Sequence, residues 1–578
     1  MVFGKKKKDA GITMDDNTIK NTTVALIGCG PAGMSFLHAL QKRKSDGKAV
    51  PTVTCYERAS SVGGIWRDVP SDDLKRVKEC NRCLMYEDMW CNTPKELMEY
   101  YDFTFDDHFQ CATPSFLPRK DILSYIVGRN SVDGALDHVK LNHSVKSITF
   151  NSKIKKFTIS IKNEISGICK SSDFDKCIWG AGLHGKPYHP EDILKSLSSF
   201  TGKILHSVEV TDNFKNDVNG KRVLIVGDNV SAEDLALHSI KHGAKHVYIS
   251  SRSGDGVASD TGSWPHDKVT VFDGPPYKVI NGNTIKCQEV YWSIKKEKYR
   301  RDDDAQPSKV KDIDIIILAT GYEPNFDFLP ESLQFDDEAE WSISKGWSMD
   351  NNALSNSVGK VNPHEILEGG NTCYPDVYRG LLISNPNMMF IHELELSLCP
   401  ILELDVLAHL ILAYLVGEKS IPTTQEMQKA NQKQLEAEMH IPWLRASLDP
   451  LYQDEINEFD DQHWVNNSND ERVLILNQMA NDLAVRRLAR DMKDAKYPLN
   501  LGDWKSLNKD GKKVIDIITA VENTRSKRRS KSNLTYRDSH LKETLSLFTG
   551  TRAAEMPGSW LELKSKDCMN TTLKSLRY

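Results

Sequence analysis

Two glycine-rich turns carry the most legible chemistry in this chain. The first, Gly28-Cys29-Gly30-Pro31-Ala32-Gly33, follows the apolar run 23–27 (TVALI) and opens a segment, 34–44, with helical spacing. In such a turn Gly28 permits the sharp bend, Gly30 lets a pyrophosphate approach the backbone, and Gly33 lets the helix pack closely; the helix amino terminus then meets the phosphates with its positive end. A second apolar run, 53–56, ends in Glu57, spaced to accept hydrogen bonds from ribose hydroxyls. From Glu57 the chain passes through Gly63-Gly64 to Ile65-Trp66. The paired glycines free the backbone beside a ligand, and Trp66 offers a flat apolar surface. A lone glycine signature is weak evidence, but a strand before it, a helix after it and a correctly placed acid make it specific for dinucleotide binding. The bland alternative, a glycine turn beside a core tryptophan, leaves the spacing from acid to paired glycines unexplained.

The elements that must position these residues recur. An apolar run at 222–226 (RVLIV) leads into Gly227-Asp228-Asn229-Val230-Ser231-Ala232, a helix from 233 to about 242, and a strand 246–250 (HVYIS) just before Arg252. Gly28 and Gly227 are too far apart in sequence to be one duplicated hairpin, so the chain has two nucleotide sites. A further strand, 313–318, runs into Ala319-Thr320-Gly321-Tyr322. Strands alternating with helices imply an α/β fold with mainly parallel sheets.

Composition bounds the remaining possibilities. The 578 residues carry 75 Lys+Arg against 80 Asp+Glu, a net charge of −5, so the global basic field that nucleic-acid binding requires is absent. No run approaches the ~20 apolar residues that cross a bilayer, so no membrane partner is expected. The richest stretch, 401–416, carries Glu403, Asp405 and His409 and reads as an amphipathic helix with Leu404, Leu407, Ile411 and Leu415 facing inward. The 12 cysteines show no disulfide-framework spacing, which fits a reducing, cytoplasmic location. Cys80 and Cys83 form a CxxC in a charged connection; only Cys91 is near, too few ligands for zinc, so no metal is expected. The first 20 residues read as a flexible, solvated tail rather than a secretory signal. After Pro422 the sequence becomes polar and helix-rich: Thr423 and Glu426 make a capping box for a helix over 427–437, a further helix is expected over 473–493, and 525–531 (RSKRRSK) reads as a solvated basic loop.

The sequence resembles the flavin-containing monooxygenases. The residues that carry the resemblance are GCGPAG at 28–33, ERASSVGGIW at 57–66, WCNTPKE at 90–96, FTGKILH at 200–206, GDNVSAED at 227–234 and LATGY at 318–322. Within that family it resembles the soluble trimethylamine monooxygenase branch, through the long stretch 85–109, the SAED turn, LTYRDSH at 534–540 and LFTGT at 547–551. The resemblance implies two Rossmann-like dinucleotide-binding domains, the FAD domain discontinuous and the NADPH domain inserted into it, followed by a helical extension. The boundaries expected are a tail at 1–20, the FAD domain at 21–204 and 320–421, the NADPH domain at 205–319, and the extension at 422–578.

It further implies FAD at the first turn and NADPH at the second, formation of a C4a-hydroperoxyflavin from dioxygen, and transfer of one oxygen atom to a small soft nucleophile, a trimethylamine-like tertiary amine or a sulfide. Asn92 is then the catalytic residue, its amide holding the peroxide without supplying a proton that would expel hydrogen peroxide. Trp90 lies near the nicotinamide, Val145 near the FAD adenine, and Ile65 and Trp66 along the flavin; His206 orders the inter-domain linker. Ser231 can donate to a phosphate. Arg252 stands where NAD-selective sites place an acid, and its guanidinium suits a 2′-phosphate. A homodimer is compatible with the extension.

Three departures from the family pattern keep an alternative open. Val210 replaces an aromatic residue, Gly180-Ala181-Gly182 replaces the usual ATG, and His392 and Leu394 stand where the family has glycine and polar residues near the flavin. A nucleotide-binding homologue with lost or altered activity accounts for these; a flavin disulfide reductase fits less well, because the CxxC lacks a redox context. Asn92→Ala should leave NADPH-driven flavin reduction intact while oxygenated product per NADPH falls at least tenfold. Stopped-flow reduction combined with product quantification checks this, and an unchanged product yield removes Asn92 from the chemistry.

Overall fold

A computed structural model describes residues 14–67, 85, 89, 91, 95, 98–100, 103–110, 117–182, 185–210, 214–228, 230–252, 268–293, 298–302, 304–323, 326–334, 376–392 and 400–438. The first unit runs β1 (Thr23–Ile27), α1 (Pro31–Ser45), β2 (Thr52–Tyr56), α2 (Arg119–Asn130), β3 (Val139–Lys140), β4 (His143–Asn151), β5 (Lys156–Asn163), β6 (Cys169–Phe174) and β7 (Lys176–Trp179). The second runs β8 (Lys203–His206), β9 (Arg222–Val226), α3 (Val230–Lys241), β10 (His246–Ser251), β11 (Val269–Asp273) and, after smaller antiparallel strands, β12 (Ile315–Leu318). The chain then returns to the first unit with β13 (Val377–Tyr378), β14 (Leu381–Leu382), β15 (Met388–Phe390), α4 (Pro400–Leu415) and α5 (Thr424–Glu438).

Two sheets organise these elements. The larger has the order β13-β14-β15-β7-β1-β2-β3, parallel from β15 to β3. The other is β11-β10-β9-β12-β8, parallel throughout. Because β15 from the returning chain pairs with β7, the first unit is closed by residues on both sides of the second, as the inserted-domain reading requires. The linker residues Lys186–Pro187 and Tyr322–Glu323 pair antiparallel where the chain leaves and re-enters. β8 pairs along its whole length with β12, so the strand belongs to the second sheet and spans the 204/205 boundary expected above.

The continuous apolar runs read in sequence divide by period two, as strands buried on both faces must. In β1, Val24 and Leu26 pack with Phe36, Leu37 and Ile122 on the helical face, while Ala25 and Ile27 meet Ile148, Phe157 and Ile159 of the antiparallel β4-β5-β6 sheet. In β9, Val223 and Ile225 face Leu235 and Ala236 of α3, and Leu224 and Val226 face Ile285, Cys287 and Val310. The capping box at Thr423 forms as expected: its backbone N–H and hydroxyl donate to Glu426 at 2.8 and 2.7 Å, starting α5.

Helix α4 packs along α1, with Leu404, Leu407, Ile411 and Leu415 buried as predicted. The amphipathic reading needs one correction. Leu410, Leu412 and Tyr414 are buried too, and so is Asp405 at 0% exposure. That carboxylate meets Arg129 of α2 in a two-pronged ion pair, Nη1 to Oδ1 at 2.7 Å and Nη2 to Oδ2 at 3.1 Å, with the guanidinium 4.0 Å from the Tyr100 ring centre. Burial alone would raise the Asp405 carboxyl; the Arg129 charge overrides it and holds the group down at about 2. Removing one partner strands a buried charge, so Asp405→Ala should cost roughly 3–5 kcal/mol of stability. The double change Arg129→Met with Asp405→Leu should recover most of it, as read by denaturant unfolding; equal losses in both would assign the cost to packing rather than charge.

Candidate functional site

The first turn is built by backbone contact. Gly28 has φ +90°, and a Cβ there would lie 2.8 Å from Ala181 Cα and 2.9 Å from Gly180 O. A Cβ on Gly33 would fall 2.1 Å from Gly28 O, so the start of α1 lies directly on the turn. Helix α1 begins after Gly30 with Pro31 in its first turn and has no side-chain cap, leaving its amino-terminal N–H groups to an anion. The backbones of Gly30 and Gly64 also meet, a Cβ on Gly30 lying 3.3 Å from Gly64 Cα. Gly63 and Gly64, at φ +115° and +59°, turn the chain to make that approach.

Glu57 follows β2 and is 8% exposed. Its Oε2 accepts from the Cys29 N–H at 2.8 Å and its Oε1 from the Ala59 N–H at 2.8 Å, so each oxygen retains a lone pair for a ribose hydroxyl. A glycine cradle that any Cβ would fill, an uncapped helix terminus and an acceptor-only acid together fit FAD's pyrophosphate and ribose. Ile65 is half-buried and Trp66 is 8% exposed, packed in the core of the unit with its carbonyl accepting from Arg119. Val145 is half-buried on β4, whose first residue donates its N–H to Glu57 O at 2.8 Å. Trp90 and Asn92 lie outside the described residues, as do Cys80, Cys83 and Leu394.

The second turn repeats the construction with one contact changed. Gly227 has φ +115°, and its Cβ would meet Ala319 O at 2.3 Å. Ala232, fully buried, holds the place that Gly33 has in the first turn. Ser231 is exposed in the first turn of α3, and Arg252 is exposed immediately after β10. Asp228 accepts a hydrogen bond from Ser251 Oγ. A turn glycine pressed on backbone, a helix start and a strand-end arginine fit a second dinucleotide.

Sequence reasoning missed the walls of these turns: Gly180-Ala181 after β7 and Ala319 after β12. The available signal was that both triplets, Gly180-Ala181-Gly182 and Ala319-Thr320-Gly321, follow apolar strands directly. His206 sits at the end of β8, its Nδ1 accepting from the Val208 N–H at 3.2 Å and its ring 5.1 Å from that of His189 and 5.4 Å from that of Tyr322. Burial, reinforced by His189, pushes it down to about 4, so it is neutral at physiological pH. The His206 ring thus lies near both linkers. His392, two residues past β15, is 4% exposed.

Two parallel-sheet units, each opening on a glycine turn and one inserted in the other, define a protein with paired dinucleotide-binding domains. Residues 21–295 match the flavin-binding monooxygenase-like family. The chain is 32% identical over 315 residues to a trimethylamine monooxygenase of Pelagibacter sp., covering 54% of this chain and 63% of that protein. It is 30% identical over 311 residues to one from Roseovarius nubinhibens, with the same coverage, 54% and 63%. The match thus spans just under two thirds of these relatives' length. Among solved structures, Tmm from Pelagibacter sp. aligns with a TM-score of 0.59 at 24% identity, covering 79% of this chain and 89% of that one. S-allyl-L-cysteine S-oxygenase from Allium sativum aligns at 0.53 and 18%, covering 92% and 99%. Both share the fold. Among the described residues no helix is long and apolar enough to cross a membrane, and no His/Cys/Asp/Glu group could hold a metal ion.

Gly33→Ala should lower FAD occupancy at least tenfold, because the new methyl must push α1 off the Gly28 carbonyl that shapes the turn. The ratio of flavin to protein absorbance reports it. Full occupancy would show that α1 can shift enough to admit a methyl group at this turn.

Proposed function

We propose that this protein is an FAD-dependent, NADPH-consuming monooxygenase that transfers one oxygen atom to a tertiary amine of the trimethylamine kind. The observation that carries the reading is the pairing of two glycine turns in one chain, the first with its ribose-accepting Glu57 and the second followed by Arg252. The match of residues 21–295 to the flavin-binding monooxygenase-like family, and the trimethylamine monooxygenases at 30% and 32% identity, support it. FAD, when reduced, supplies the electrons that activate dioxygen.

The chain's own residues hold and shield. The uncapped terminus of α1 and the backbone at Gly28, Gly30 and Gly33 bind the FAD pyrophosphate, and Glu57 accepts from its ribose. Ile65 and Trp66, packed in the core of the first unit, would exclude water beside the flavin. Gly227 and the start of α3 would hold the NADPH pyrophosphate, with Ser231 as a hydroxyl donor and Arg252 as the cation for the 2′-phosphate. Asn92 would offer its amide as donor and acceptor to the oxygen that the bound flavin activates. The second reading, a homologue with altered activity, rests on buried His392 at the carboxyl end of β15, next to the strand of Trp179.

A yellow protein that bleaches with NADPH and reoxidises in air is a redox flavoenzyme; a colourless one sinks the monooxygenase reading. With trimethylamine, mass spectrometry should find the N-oxide, and NADPH consumption yielding only hydrogen peroxide would favour altered activity. An alkylamine titrates near the lysine range of ~10.4 and reacts only through its neutral lone pair. Turnover per molar amine should therefore rise roughly tenfold per pH unit from neutral toward that value. A flat profile would exclude capture of the free amine as the limiting step.

A further inference from the structure

In dinucleotide-binding units the acid that accepts from the adenosine ribose follows the second strand. The first unit obeys this pattern, since Glu57 comes directly after β2. In the second unit β10 ends at Ser250-Ser251, with Arg252 next and no acid at the strand end. A carboxylate is nevertheless there, and it comes from the turn. Asp228, the residue after Gly227, is half-buried and accepts a hydrogen bond from the Ser251 hydroxyl. Ser251 is fully buried, so the side chain that holds Asp228 is itself fixed. Gly227 donates its N–H to Ser250 O at 3.0 Å, which brings the turn and the strand end together. One carboxylate and one guanidinium therefore belong to adjacent anchor points, Ser251 and Arg252.

We propose that Asp228 determines the nucleotide specificity of this domain, by weakening the preference for a 2′-phosphorylated nucleotide that Arg252 alone would impose. The inference rests on the second unit being the nicotinamide-nucleotide site. A 2′-phosphate carries about −1.5 to −2 charges at neutral pH and is drawn to a guanidinium. A carboxylate held by Ser251, the residue before Arg252, opposes the phosphate and offsets part of the attraction. The same carboxylate is an acceptor for the 2′-hydroxyl of an unphosphorylated ribose, the role an acid at the strand end plays elsewhere. The domain consequently takes NADH as well as NADPH, with a narrower gap between them than the strand-end arginine by itself would produce.

The test is a binding measurement independent of oxygenation. Isothermal titration of NADP⁺ and NAD⁺ into the FAD-loaded full chain compares wild type with Asp228→Asn and Asp228→Ser. Both variants remove the charge, and both side chains can still bond Ser251, so either one suffices if the other does not fold. The ratio of NAD⁺ to NADP⁺ dissociation constants should rise about tenfold in both, from tighter NADP⁺ and weaker NAD⁺, the size of one charge-assisted contact. The rise should shrink in high salt. Arg252→Ala should move the ratio the opposite way. If both nucleotides bind and the ratio is unchanged in both Asp228 variants, Asp228 only braces the turn and the proposal is overturned. If neither nucleotide binds the wild-type protein, the nicotinamide reading of the second unit falls and takes the proposal with it.

Discussion

Backbone packed on backbone is the constraint from which the rest of this structure follows. At Gly33 a single methyl group would overlap the Gly28 carbonyl, and at Gly28 it would overlap the chain leaving β7. These contacts set helix, strand and linker closer together than any side chain allows, and the start of α1 carries no side-chain cap. The cradle is thus a consequence of atoms being absent. Glu57 depends on the same closeness, because its carboxylate reaches the Cys29 N–H across the turn.

Holding such a turn open requires a rigid support behind it. Helix α4 provides it by lying along α1, and it brings Asp405 into the interior with it. An isolated buried carboxylate would be strongly unfavourable; here the paired, hydrogen-bonded Arg129 makes it tolerable and ties α4 to α2. Arg129 and Asp405 lie on opposite sides of the inserted unit in sequence. The ion pair therefore joins the chain before the insertion to the chain after it, as the pairing of β15 with β7 does in the sheet.

The two units share their entry and exit. Lys186–Pro187 and Tyr322–Glu323 form a short antiparallel pair, and the His206 ring lies near both linkers through His189 and Tyr322. A neutral histidine suits this position, because a charged ring beside a second histidine in a buried place is disfavoured. The chain after each central strand, Gly180-Ala181 and Ala319, serves at once as linker and as wall of a nucleotide turn. The same residues that connect the domains thereby shape both candidate sites.

Local pattern was enough to establish the two strand-turn-helix units, the place of Glu57, the helix over 401–416 and the cap at Thr423, because each rests on contacts between residues near in sequence or on a single period. It was not enough for Asp405, whose charge reads as a solvated face until its partner, far away in the chain, is known. Nor could it reveal that Gly180, Ala181 and Ala319 wall the turns, or that Asp228 supplies a carboxylate at the end of β10. Those depend on which strands become neighbours: β7 beside β1, β12 beside β9, and β10 beside the turn that follows β9. Sequence alone specified residue types suited to dinucleotides and their order along the chain. Only the tertiary structure decided which distant backbone and side chains meet them, because strand adjacency is set by the packing of the whole sheet and not by the spacing within any one segment.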